Sequence, residues 1–191
     1  MDPGDRLAVV ILAGGEATRL PGKLELDADG LPLLVRVYRN VAPVGPVYVA
    51  ANRSFPAPID DLLDCPVVID RWPGRGPLGG LASAFAMAGE ARAFVVAGDA
   101  PFADAQTAAE LLAAWEPGIQ AVVPVNGAGI LEPLCAIYDR AAFLAAALPL
   151  LRRSSGGVAA AVEHLHAKRV RLSNERAFAN VNTAADRQSL L

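Results

Sequence analysis

Basic charge is in short supply: 17 Lys and Arg stand against 20 Asp and Glu, a net charge of −3. A general nucleic-acid binder needs a basic excess to meet the phosphate backbone, so that class is excluded and any anion site must be local. Cysteine is scarce as well. Cys65 and Cys135 lie in apolar surroundings with no spacing pattern, which removes a disulfide framework and a zinc site and leaves two reduced core thiols. No apolar run reaches the ~20 residues that cross a bilayer. Leu7 to Leu12 is too short for a signal-peptide core. No membrane association and a cytoplasmic location are therefore expected. Charged residues make up 19% and apolar residues 53%, a composition that supplies a packed core and excludes disorder. One domain spanning 1–191 is the expectation at this length.

Short apolar runs alternate with alanine-rich stretches of helical spacing, the pattern of an α/β protein with a mainly parallel sheet flanked by helices. Strands are predicted at Leu7–Leu12, Val47–Ala50, Val67–Ile69, Phe94–Ala97, Ala121–Pro124, Leu134–Tyr138 and Val170–Leu172. Helices are predicted at Leu33–Val41, Leu78–Ala88, Ala105–Trp115, Arg140–Leu150 and Val158–Leu165, with Asp104 as an N-cap. Sheets of this kind bind ligands beyond the carboxyl ends of their strands. Gly14, Asn52, Asp70 and Asp99 each follow a predicted strand, so all four belong on one edge.

Val9 to Lys23 reads VVILAGGEATRLPGK: a β-branched run, a Gly-Gly loop, then Arg19 and Lys23. Backbone N–H groups and two cations at a strand end suit a triphosphate, whose charge grows when a phosphorus centre is attacked. Two familiar loops do not fit. A P-loop requires glycine at Ala17 and a hydroxyl residue at Leu24, and a dinucleotide fingerprint requires three spaced glycines. A second segment, Phe94-Val95-Val96-Ala97-Gly98-Asp99, ends on one carboxylate suited to the magnesium ion that accompanies a triphosphate. Taken singly, Gly14-Gly15 also reads as a tight turn, Asn52 as a turn residue and Asp70 as a cap.

Four motifs in order make the pattern specific: Leu12-Ala13-Gly14-Gly15 with Arg19 and Lys23; Gly76-Pro77-Leu78-Gly79-Gly80-Leu81; Gly98-Asp99-Ala100-Pro101-Phe102; and Asn180-Val181-Asn182-Thr183 with Asp186. From about Leu7 to Asp186 the chain resembles the molybdenum cofactor guanylyltransferases, the MobA family. The resemblance implies a single-domain Rossmann-like nucleotidyltransferase fold, its N-terminal part binding nucleotide and its C-terminal part the acceptor. It implies transfer of GMP from GTP to the phosphate of molybdopterin, with Mg²⁺ as cofactor and pyrophosphate as product. Molybdenum-insertion proteins and molybdoenzymes are the protein partners it suggests.

Carried over residue by residue, Leu12, Ala13 and Gly14 meet the guanine and ribose end of GTP, while Gly15, Arg19 and Lys23 belong to the loop that holds its phosphates. Asn52 contacts the nucleotide. Asp70 accepts from the guanine edge, whose N1–H and exocyclic amine are donors. Asp99 is the magnesium ligand. Asn182 serves the metal or the pterin phosphate, or else caps a helix with Thr183. Arg152-Arg153-Ser154-Ser155-Gly156-Gly157 reads as acceptor binding or as a helix end, and His164 and His166 read as surface residues.

The chain departs from the family in two places. The stretch before Lys23 is two residues shorter than the usual Gly-Gly-x-Asp arrangement, and Glu132 stands where a basic residue or histidine often precedes the proline. CMP transfer from CTP to the same acceptor is the nearest alternative, although Leu-Ala-Gly-Gly favours GTP over the Leu-Ala-Ala-Gly of that class. A non-catalytic molybdenum-cofactor carrier is the alternative from outside enzymology.

Overall fold

A computed structural model describes residues 7–14, 27–28, 31–57 and 59–181. In chain order the elements are β1 (Leu7–Leu12), β2 (Asp27–Ala28), β3 (Leu31–Pro32), α1 (Leu33–Val41), β4 (Val47–Ala51), α2 (Ile59–Leu62) and β5 (Val67–Ile69). They continue with α3 (Gly76–Met87), β6 (Arg92–Ala97), α4 (Ala105–Ala113), β7 (Ala121–Pro124) and β8 (Cys135–Asp139). The last are α5 (Arg140–Arg152), α6 (Val158–Val162) and β9 (Ala167–Val170).

Among the described residues, seven strands form one sheet in the order β5-β4-β1-β6-β8-β7-β9, and β2 and β3 form a small antiparallel ribbon. The four strands β5, β4, β1 and β6 run parallel. β8 runs against both of its neighbours, and β9 is parallel to β7. Every residue of β1 is buried because it is covered on both faces, as a central parallel strand requires. Val9 and Ile11 enter one core with Leu34 and Val37 of α1 and Leu111 of α4. Ala8, Val10 and Leu12 enter the other, with Leu81 and Phe85 of α3 and Phe143 of α5. The molecule is thus one domain of three layers, helix, sheet and helix.

Strand order decides where a ligand can sit. From β1 the chain winds outward through β4 to β5, then crosses back to place β6 on the other side of β1. Right-handed crossovers put α3 on the face opposite α1 when the winding reverses. Sheets of this kind bind ligands at that reversal, beyond the carboxyl ends of β1 and β6.

Most predicted elements lie within a few residues of their expected places. The last strand is a correction: it spans Ala167–Val170 rather than Val170–Leu172. As an edge strand it pairs Ala121 with Ala167 and Pro124 with Val170 and buries none of its residues fully, so no apolar run marked it. The helix predicted over Val158–Leu165 stops at Val162, and that over Ala105–Trp115 stops at Ala113. α5 instead runs through Pro149 to Arg152. Asp104 caps α4 as expected: its Oδ1 accepts from Thr107 N at 2.8 Å, and Thr107 Oγ1 returns a bond to the Asp104 N–H, a box of about 1 kcal/mol.

Candidate active site

At the switch point the backbone stays tightly paired past the strand ends. Ala13 N donates to Ala50 O at 2.8 Å, Asp70 N to Ala51 O at 2.9 Å, and Gly98 N to Leu12 O at 2.9 Å. These bonds bring the segments after β1, β4, β5 and β6 to one edge, as the order of the sequence motifs requires.

Glycine allows the contacts to be so close. A Cβ on Gly14 would lie 2.9 Å from Asn52 Oδ1, so the Asn52 side chain rests on the Gly14 backbone. A Cβ on Gly98 would meet Leu12 O at 3.0 Å and Leu34 Cδ1 at 3.4 Å. A methyl group there would wedge the β1 and β6 loops apart. Leu12, Ala13 and Gly14 therefore line up beside Asn52 on one flank and Gly98-Asp99 on the other.

Asp99 is half-buried. Its turn is held from both sides: Asn40 Nδ2 on α1 donates to Pro101 O at 2.8 Å, and Val181 N donates to Asp99 O at 2.9 Å. The second bond returns the end of the described chain to the site, with Val181 buried against Leu33. Sequence reading missed Asn40, whose one signal is an amide on an otherwise apolar-faced helix. Among the described residues no group of three or more His, Cys, Asp or Glu could hold a metal ion. Asp99 places one carboxylate at this edge, and Mg²⁺ is commonly held by one or two carboxylates together with substrate phosphates.

Asp70 follows β5 and is half-buried. Its Oδ1 accepts from Trp72 N at 2.7 Å and from Ser83 Oγ at 3.2 Å. Ser83 was not foreseen, because a hydroxyl inside an apolar helix carries no motif.

Gly15, Arg19, Lys23, Asn182, Thr183 and Asp186 lie outside the described residues. Arg152 and Arg153 are exposed at the end of α5, where Arg153 N and Ser155 N cap the Pro149 and Leu150 carbonyls; the segment ends a helix. Glu132 accepts from Asn126 Nδ2 at 2.8 Å and so fastens the connection between β7 and β8. His164 and His166 are exposed, as expected. Cys135 is buried and Cys65 only partly so; both are free thiols, which corrects the expectation of two core cysteines in one case.

A crystal structure of molybdopterin-guanine dinucleotide biosynthesis protein A from Archaeoglobus fulgidus shares the fold, with a TM-score of 0.81 over 96% of both chains at 21% identity. The mostly parallel seven-stranded sheet, with the segments after β1, β4, β5 and β6 gathered at one edge, defines the class: a Rossmann-like nucleotidyltransferase. Residues 9–170 match the MobA-like NTP transferase domain, and the chain belongs to that family. A "Probable molybdenum cofactor guanylyltransferase" of Carboxydothermus hydrogenoformans is 28% identical, covering 97% of this chain and 95% of its own. A molybdenum cofactor guanylyltransferase of Desulfosudis oleivorans is 34% identical over 71% of this chain and 67% of its own. Among the described residues no helix is long and apolar enough to cross a membrane.

Proposed function

We propose that this nucleotidyltransferase moves GMP from GTP to the terminal phosphate of molybdopterin, giving the guanine dinucleotide form of the cofactor and pyrophosphate. The observation that carries this reading is the pair of guanylyltransferase relatives, 28% and 34% identical. The meeting of Gly14, Asn52, Asp70 and Asp99 at one sheet edge supports it.

A phosphate monoester has its second pKa near 6 and is largely dianionic at neutral pH, so the acceptor needs no general base. One of its oxygens attacks the α-phosphorus of GTP. A new P–O bond forms there while the bond to the bridging oxygen breaks, and the electron pair leaves with pyrophosphate. Leu12, Ala13 and Gly14 border the nucleoside, Asn52 braces the loop, and Asp70 reads the base. Arg19, Lys23 and the amide of Gly15 offset phosphate charge, aligning attacker and leaving group. Asp99 would hold Mg²⁺, which neutralises oxygen charge on the phosphates. The C-terminal part supplies the acceptor side.

A nucleotide panel tests the base. GTP with Mg²⁺ should raise the melting temperature, since ligand at about 100 times Kd adds about 2.7 kcal/mol, and CTP, ATP and UTP should not. Turnover of molybdopterin with GTP should then yield pyrophosphate and the dinucleotide. A CTP-only shift would move the activity to CMP transfer. A GTP shift without turnover would leave a carrier.

A further inference from the structure

Two polar side chains are buried among the described residues, Ser83 and Thr107. Thr107 closes the capping box of α4. Ser83, 2% exposed, lies in the interior of α3, where a serine contributes less to helix stability than alanine. Its hydroxyl accepts from Arg71 N at 2.9 Å and lies 2.9 Å from Gly79 O and 3.2 Å from Asp70 Oδ1. A hydroxyl has one proton, which the nearer Gly79 O, the usual partner of a helical serine, and the charged Asp70 Oδ1 share.

The consequence falls on Asp70. Trp72 N and Ser83 Oγ both reach Oδ1, at 2.7 and 3.2 Å, so turning the carboxylate about its own axis gives up both contacts. The other oxygen, Oδ2, lies over Gly79, where an added Cβ would stand 2.9 Å from it and 2.8 Å from Trp72 O. Gly79 and Ser83 are one helical turn apart and together form a seat for the carboxylate. A surface turn at Asp70 needs only the bond from Trp72 N. The added hydroxyl fixes the direction of Oδ2.

We infer that Ser83 is a positioning residue for base selection: it anchors Oδ1 of Asp70 so that Oδ2 is presented to the nucleobase. This rests on the reading of Asp70 as the residue that recognises guanine. A fixed carboxylate oxygen attracts the N1–H of guanine and repels the N1 lone pair of adenine at the same ring position. Selectivity therefore depends on the oxygen being held and not only on its being present.

The test compares wild type, S83A, S83C and D70N by calorimetric binding of GTP and ATP with Mg²⁺, and by steady-state turnover. S83A should weaken GTP binding about tenfold, the scale of one hydrogen bond to a charged group, and lower the GTP-to-ATP preference by a similar factor. The loss should fall on KM for GTP more than on kcat. S83C, similar in size and a poorer donor, should lie between, and it serves as the test if S83A does not fold. An unchanged GTP-to-ATP ratio in both serine variants, with D70N flattening it, would overturn the role of Ser83 alone. An unchanged ratio in D70N would instead overturn base reading by Asp70.

Discussion

From β5 to β6 four strands run parallel and end together, whereas from β6 to β9 the sheet changes direction twice. The two regions use their polar side chains differently. In the parallel region Asn52, Asp70 and Asp99 collect at one edge, and Gly14, Gly79 and Gly98 let those segments approach one another. In the other region polar groups fasten the frame: Asn126 to Glu132 within the β7–β8 connection, Ser173 to Glu110 of α4, and Lys168 of β9 to Glu116 just after α4. Between them Phe85, Tyr138 and Phe143 pack ring on ring, with centroids 4.9–6.4 Å apart, and join α3 of the first region to β8 and α5 of the second. Parallel strands bring the segments that follow them to a shared edge, and the antiparallel strands brace the sheet behind it.

If this division is right, the largest effect belongs to Asp99→Ala. In the proposed reaction guanylyl transfer should fall about 10²–10³-fold, the scale of losing one charge-stabilising group at the reacting centre, with the melting temperature within a few degrees of wild type. The bond from Val181 N uses the Asp99 carbonyl, which alanine keeps. Near-normal turnover in this variant would remove Asp99 from the chemistry.

A pair of glycines separates frame from site more finely. A Cβ on Gly45 would lie 2.1 Å from the Leu7 carbonyl oxygen, a backbone atom of β1. Gly45→Ala should therefore cost about 1–3 kcal/mol, lowering the melting temperature by about 2–4 °C for each kcal/mol, while the folded fraction binds GTP normally. Gly14→Ala meets the tip of a side chain, Asn52 Oδ1, which can swing away. Its stability should hardly change, yet GTP affinity should drop about tenfold as Asn52 is pushed into the nucleotide's place. Equal loss of binding in both variants would erase the distinction.

Sequence reading served the parallel region better, for a physical reason. Doubly covered strands such as Leu7–Leu12 must be unbroken apolar runs, and a glycine or a carboxylate just after one is conspicuous. The edge strand Ala167–Val170 has no such signature: Lys168 and Arg169 reach solvent, and its place is set by pairing with β7. Ser83 and Asn40 were invisible for a related reason. Each acts through a partner distant in sequence, 13 residues away for Asp70 and 61 for Pro101, and neither spacing forms a local pattern. Asn52 and Asp70 stood open between turn and ligand roles, and Asp70 turns out to make the turn bond with one oxygen while the other faces Gly79.

The smallest effect concerns the two thiols, one beside each region. Cys65, just before β5, is pushed up from 9.0 to about 11 by partial burial and then by the charge of Asp64. Cys135, the first residue of β8, is pushed up to about 12 by burial, with Glu132 and Asp104 adding to it. Each folded value lies above the unfolded one, so the folded state is favoured fully below pH 9. That contribution is lost as pH rises from 9 through 11 to 12, because the unfolded chain releases its thiol protons first. The melting temperature should fall across this window, and Cys135→Ala should flatten the fall more than Cys65→Ala. At pH 8 a thiol reagent should label Cys65 slowly in the native protein and Cys135 only on unfolding. Equal native labelling of the two would mean that β8 opens as readily as the loop before β5, and the frame would then be no firmer than the edge it supports.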